Sequence, residues 1–196
     1  MREALRMILV LSLICGLSGL TLAAVRQATG PRIEEQVLTF VQGPALQQIF
    51  TAADNHPVQD RVAVDLEGET VTVFPAMVDG RLTGVAFETF GRGYGGDIGV
   101  MVGFLVADDS LAGIGITTHK ETPGLGSRVV EPEFREQFAR RPGHDLALHS
   151  QGGDIAAVAG ATFSSTATVA AINEAIRKYS RIKDRLPEHW GLQDTP

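Results

Sequence analysis

The sequence predicts an α+β fold: an N-terminal transmembrane helix followed by a single exported domain in which an antiparallel sheet is flanked by helices. Three observations carry this expectation. The amino terminus holds a long apolar run, the middle of the chain a series of short β-branched runs separated by turn residues, and the carboxyl end an amphipathic stretch. At 196 residues there is room for one domain with its own core and an appendage.

Met7 to Val25, MILVLSLICGLSGLTLAAV, contains 19 residues without a charge. As a helix it is about 28 Å long, close to the roughly 30 Å of a hydrocarbon core. Arg2 and Arg6 precede it, while Arg26, Arg32, Glu34 and Glu35 follow it; the positive-inside rule then leaves residues 1–6 in the cytoplasm. The run exceeds the core of a signal peptide, yet Ala23 and Ala24 also suit a cleavage site. A retained anchor and a cleaved signal are the two readings, and both export the remainder. Cys15, the single cysteine, lies inside this run, which excludes an internal disulfide framework, a Cys-ligated iron–sulfur cluster and a Cys-based zinc site. Redox chemistry therefore requires an organic cofactor or a metal held by oxygen and nitrogen. The chain has 17 basic and 23 acidic residues, a net charge of −6; losing Arg2, Arg6 and Glu3 with the first 25 positions leaves 15 against 22, or −7. That balance argues against nucleic acid as a partner.

Residues 26–60 read as a helical linker and the start of the domain. Ile33 to Val41 and Ala45 to Phe50 have helical spacing and are separated by Gly43-Pro44, which predicts two short helices. Residues 61–182 form the domain proper. Strands are expected at VAV and VTVF from Val62 onward, at Leu82 to Phe90 after an Asp79-Gly80 hairpin, at Ile98 to Ala107, and at Ala112 to Thr117 after Asp108-Asp109-Ser110. Phe134 and Phe138 share a face of a short helix that Pro132 suits as a first-turn residue. Ala147 to Ser150 reads as one more strand. From about Ser165 to Arg181 a helix is expected to bury Val169, Ile172, Ile176 and Tyr179, and residues 183–196 read as a tail, loose from Leu186.

Glycine is inflated, 22 of 196 residues against a usual share of about 7%, and it gathers in three places that could carry chemistry. Gly91-Arg92-Gly93-Tyr94-Gly95-Gly96 has dinucleotide-fingerprint spacing, but the residues after it are strand-like, so it reads either as a strand connection or as a loop that a flat ligand approaches, with Tyr94 as a stacking partner. Thr118-His119-Lys120-Glu121-Thr122-Pro123-Gly124-Leu125-Gly126 contains a type II turn at Pro123-Gly124. His119 has no second ligand at a metal-binding spacing, and no constellation of catalytic side chains is evident. Ala159-Gly160-Ala161-Thr162-Phe163-Ser164-Ser165-Thr166 opens into the last helix with four hydroxyls. Ordinary N-capping uses one hydroxyl; a phosphate site at the positive helix end is the functional reading.

HKETPGLG followed by AGATFSS resembles the FMN-binding domain shared by the G subunit of Rnf-type electron-transport complexes and the C subunit of the sodium-pumping NADH:quinone reductase. The resemblance runs from the anchor through GYGG to the final helix, and the length is closer to the Rnf subunit. It implies FMN attached through its phosphate to the hydroxyl at the last position of a [S/T]-G-A-T-x-T motif. Here that position is Ser164, within a motif that starts with Ala159 in place of Ser or Thr; Ser165 and Thr166 are alternative acceptors. The cofactor site so implied comprises Ser164, Thr162, Ala161, Gly160, Ser165, Tyr94, Gly95, Glu121, Thr122, Leu125 and Gly126, with the ring between the GYGG and ETPGLG loops. No base adjoins Ser164 in the sequence, so attachment calls for a separate flavin transferase. The implied role is an electron-transfer subunit of an ion-translocating complex linking ferredoxin and NAD chemistry. Its partners are integral-membrane and redox subunits, and its place is the bacterial inner membrane, single-pass, with an extracytoplasmic domain. An anchored binding or assembly domain without covalent flavin, and a stand-alone exported flavoprotein, are the competing readings.

Overall fold

The computed structural model describes residues 2–66, 68–186 and 190, and it separates into two compact units, Met1–Thr39 and Phe40–Pro196. The first is dominated by helix α1, Arg2–Val37, which contains the apolar run. Among the described residues one helical stretch, Arg2–Ile49, is long and apolar enough to cross a membrane. The two short helices expected around residue 43 are instead one helical path: α1 passes through a π-helical turn at Leu38–Gln42 into α2, Gly43–Ile49. Gly43-Pro44 does not break it. Pro44 sits in the first turn of α2, where its missing N–H costs little, and a wider π turn just before it relieves the crowding of its ring against the preceding carbonyls.

In the second unit five strands follow in chain order, β1 Val62–Leu66, β2 Glu69–Val78, β3 Arg81–Arg92, β4 Asp97–Leu105 and β5 Leu111–Thr118. They form one antiparallel meander in the spatial order β1-β2-β3-β4-β5. Asp79 and Gly80 both take positive φ at the β2–β3 turn, as a two-residue hairpin connection requires. Helix α4, Thr162–Ile182, crosses one face, where Thr89 Oγ1 donates to the carbonyl of Ala171 at 2.9 Å. Val85, Phe87, Val100, Val102, Phe104 and Ile114 point to that side and join Val169, Ile172, Ile176 and Tyr179 in the core.

The opposite face is covered by α2. Cβ atoms on Gly84, Gly103 or Gly115 would press into Phe50, Ile49 and Ala45 respectively. This explains why β4 reads as an unbroken apolar run where an antiparallel strand usually alternates: both of its faces are buried. Part of the glycine excess is thus spent inside the sheet.

After β5 come a 3₁₀ turn at Gly126–Val130 and the short helix α3, Pro132–Arg135, continued by a 3₁₀ turn at Glu136–Phe138. Phe134 and Phe138 are both buried, their rings 5.4 Å apart and edge-to-face. The strand expected at Ala147 to Ser150 is absent: only Leu148 bridges to Ile155, and His149–Gln151 turns in a 3₁₀ helix. Too few residues stay extended there to form a ladder. Helix α4 starts three residues earlier than expected, because hydroxyls in the run bond back to carbonyls four residues before them and so fit inside a helix. Leu186, expected in a loose tail, is buried, and the indole N–H of Trp190 donates to the Asp60 carbonyl at 3.2 Å; residues 187–189 and 191–196 lie outside the described residues.

Candidate functional site

The start of α4 has no side-chain cap; Ala161, buried, stands at the N-cap position. The leading amides of the helix, which lack intrahelical acceptors, therefore keep their partial positive charge. None of the crowded hydroxyls is spent on capping. Ser165 is turned inward, where its Oγ accepts from the Val158 amide and donates to the Ala161 carbonyl, each at 3.0 Å. Thr166 Oγ1 donates to the Thr162 carbonyl at 2.9 Å, and Thr162 itself is exposed. Ser164 alone reaches a carboxylate: its Oγ donates to Glu121 Oε2 at 2.5 Å, although the residues are 43 positions apart.

Glu121 is 6% exposed and Ser164 2%. The second carboxylate oxygen, Oε1, accepts the amide N–H of Gly95 at 2.8 Å. The three glycine-rich segments thus meet at one carboxylate. Their glycines explain how: a Cβ on Gly95 would collide with the Lys120 carbonyl, one on Gly91 with the carbonyl of Ala167 in α4, and one on Gly126 would stand 2.5 Å from both Ser164 Oγ and Glu121 Oε2. Gly91 and Arg92 still belong to β3, and Gly93 N–H closes the connection to β4 on the Gly96 carbonyl at 2.8 Å, so the first segment is a hairpin loop. The second contains the expected turn: the Leu125 amide donates to the Thr122 carbonyl at 3.1 Å, and Gly124 has φ +75°.

The hairpin loop and the Lys120-Glu121 backbone are in direct contact at Gly95, so that glycine admits protein atoms. The flat apolar surface lies on the outside of the cluster. Tyr94 is 79% exposed and Phe163 59%, their rings 6.5 Å apart and edge-to-face. Leu125, half exposed, adjoins Gly160. Phe163 escaped the sequence reading because it occupies the variable position of the motif; the signal was a large apolar residue in a hydroxyl-rich helix start. Among the described residues no group of three His, Cys, Asp or Glu side chains is arranged to hold a metal ion.

A phosphorylated planar cofactor fits these features: a hydroxyl and uncapped helix amides for the phosphate, and a solvent-facing aromatic and aliphatic surface beside them for the ring. The comparisons place the chain in that class, since a family model described as an FMN-binding domain matches residues 93–177. The chain belongs to the family of G subunits of ion-translocating oxidoreductase complexes. It is 33% identical to that subunit from Cereibacter sphaeroides over 192 residues, covering 91% of this chain and 85% of the relative. It is 36% identical to the subunit from Methanosarcina acetivorans over 138 residues, covering 69% and 73%. The crystal structure of Shewanella oneidensis NqrC has the same fold, with a TM-score of 0.52 at 19% identity over 70% of this chain and 73% of that one.

Proposed function

We propose that the chain is the membrane-anchored electron-transfer subunit of an Rnf-type complex and that it carries FMN as a phosphoester on Ser164. The observation that carries this reading is the convergence at the head of α4, where Ser164, an uncapped helix start and the exposed Tyr94, Phe163 and Leu125 lie together. When bound, the flavin supplies the redox chemistry. The chain's own residues hold and orient it. The amides at the start of α4 receive the phosphate charge, and the apolar side chains outside the Glu121 cluster cover one side of the ring. Residues 7–25 anchor the domain, with residues 1–6 cytoplasmic and the domain extracytoplasmic, within reach of the integral-membrane and redox subunits. Maturation needs a flavin transferase acting on the exported side.

The reading is tested by expressing the chain with and without such a transferase, denaturing it, and looking for in-gel flavin fluorescence and a peptide adduct by mass spectrometry. An FMN-sized adduct on the peptide containing Ser164 is expected only with the transferase. No adduct, together with no flavin in the native protein, overturns the redox role and leaves an anchored assembly domain of the same fold.

A further inference from the structure

We propose that Lys120 supplies the positive charge that offsets the negative charge gained when the bound flavin is reduced, and that it thereby raises the flavin's midpoint potential. The inference rests on the preceding reading only in setting the ring against Tyr94 and Phe163; it holds whichever hydroxyl at the head of α4 takes the phosphate. A flavin reduced by two electrons from a redox partner and one proton from solvent carries one more negative charge than the oxidised form. A cation fixed beside the ring favours the reduced form by electrostatics alone.

The backbone fixes where Lys120 starts. Its carbonyl lies against Gly95, where a Cβ would come within 2.0 Å of it. The side chain then runs along the hairpin loop, its Cδ and Cβ standing 3.7 and 3.9 Å from the place a Cβ on Gly96 would take. Tyr94 belongs to the same turn, which the Gly93 amide closes on the Gly96 carbonyl, and its exposed ring meets Phe163. The aliphatic stem of Lys120 is thus laid on the loop that presents Tyr94, while the residue as a whole is exposed and keeps its ammonium in water.

The other charges of these loops are spent. Glu121, next in sequence, is buried and turned inward to the Gly95 amide and the Ser164 hydroxyl. Arg128 pairs with Glu131 at 3.0 Å. Arg92 and Asp97 face each other in the β3–β4 register, so their opposite charges largely cancel at a distance. His119 has Nδ1 engaged as an acceptor of the Glu121 N–H at 3.4 Å, which leaves that nitrogen without a proton. Lys120 makes no ion pair among the described residues. In a chain of net charge −6, the general field disfavours adding an electron, and an unpaired ammonium on the Tyr94 loop opposes that field locally.

The test measures the midpoint potential of the flavin by spectroelectrochemical titration of the full-length, flavin-loaded protein. Lys120→Met keeps the stem and removes the charge. It is expected to lower the reduced-to-oxidised ratio at a fixed potential about tenfold, which is about 30 mV for a two-electron couple. Lys120→Glu lowers the ratio further, and Lys120→Arg, which restores the charge, stays close to the wild type. Because salt screens an exposed charge, the gap between wild type and Lys120→Met should narrow between about 0.1 M and about 1 M salt, as the Debye length falls from about 10 Å to about 3 Å. Equal potentials for wild type, Lys120→Met and Lys120→Glu overturn the proposal. So does a Lys120→Arg potential as low as that of Lys120→Met, or a gap that salt leaves unchanged, since either assigns the effect to packing. Loss of flavin from Lys120→Met also overturns it, by placing the ammonium at the phosphate. A wild type that holds no flavin overturns the earlier reading and this one with it, whereas flavin-loaded variants with the wild-type potential sink only the role of Lys120.

Discussion

Both ends of α4 meet a carboxylate from a loop of the sheet, and they use it in opposite ways. At the C-terminal end Asp109, in the β4–β5 turn with φ 57°, accepts from Tyr179 Oη at 2.8 Å and from Lys183 Nζ at 2.6 Å. The hydrogen bond from Lys183 holds the Asp109 carboxyl below its ordinary range, and the same bond holds the ammonium above its own. Burial, followed by Asp109, pushes the Tyr179 phenol up. Cation, phenol and carboxylate satisfy one another, and the negative end of the helix favours the lysine as well. Tyr179 also stacks on Phe104, centroids 4.2 Å apart. This end is a clamp. At the N-terminal end Glu121 is buried, and it meets an amide and an alkyl hydroxyl, with no ion pair among the described residues. One carboxylate is matched to a lysine and a phenol; the other ties two loops to the helix through an amide and a hydroxyl alone.

The sharpest way to break this contrast is Ser164→Ala. It removes the hydroxyl that meets Glu121 and, on the proposed attachment at Ser164, is expected to abolish the adduct in the denaturing-gel assay, while Ser164→Thr keeps it. The next effect falls on the fold. Phe104→Ala, beneath the clamp and fully buried, should cost about 3–5 kcal/mol in denaturant unfolding. Gly91→Ala, beneath the site, forces a Cβ into the Ala167 carbonyl and should cost about 1–3 kcal/mol or more in the same measurement. If Gly91→Ala proved neutral, the close approach of the hairpin loop to α4 would be wrong.

Smaller still is the loss of the outer surface. Phe163→Ala, at an exposed position, should leave stability within about 0.5 kcal/mol and, on the proposal that it covers one side of the ring, alter the flavin absorption or fluorescence of the labelled protein.

The smallest effect is the pH response of the clamp. Asp109 has a lowered folded-state pKa, so its contribution to stability is present above its ordinary value of 3.8 and is lost as pH falls through and below it. Lys183 and Tyr179 have raised values, so theirs is present below about pH 10 and is lost as pH rises further. Asp109→Asn should flatten both slopes in thermal unfolding measured across pH, and unchanged slopes would show that the pairing contributes nothing. The adduct yield of that variant should equal the wild type's, which separates the two ends of the helix.

Much of this was legible from local pattern. The order of five strands, the Asp79-Gly80 hairpin, the Pro123-Gly124 turn and the buried stripe of α4 each depend on residues a few positions apart, and all stand where periodicity and turn chemistry predict. Ser164, Glu121, Gly95 and Gly126 were candidates by resemblance, and the fold joins them in one cluster. What misled was equally local. Gly43-Pro44 looks like a break because proline punctuates chains, yet a π turn absorbs it; Ala147 to Ser150 looks like a strand, yet it has no run to pair with.

The sequence by itself determined an apolar segment long enough for a membrane, an antiparallel meander, an amphipathic helix headed by hydroxyls, and a chain with no thiol outside that apolar segment. These come from composition and from spacings of two to four residues, which the backbone enforces wherever the chain goes. Only the tertiary structure decided that Glu121 stands at Ser164, that Ser165 is occupied by Val158 and Ala161, and that glycines in the sheet admit α2. Those pairings span from four to tens of residues and depend on how α4 and the two loops pack. Residues 43 positions apart become neighbours only once the path between them is folded.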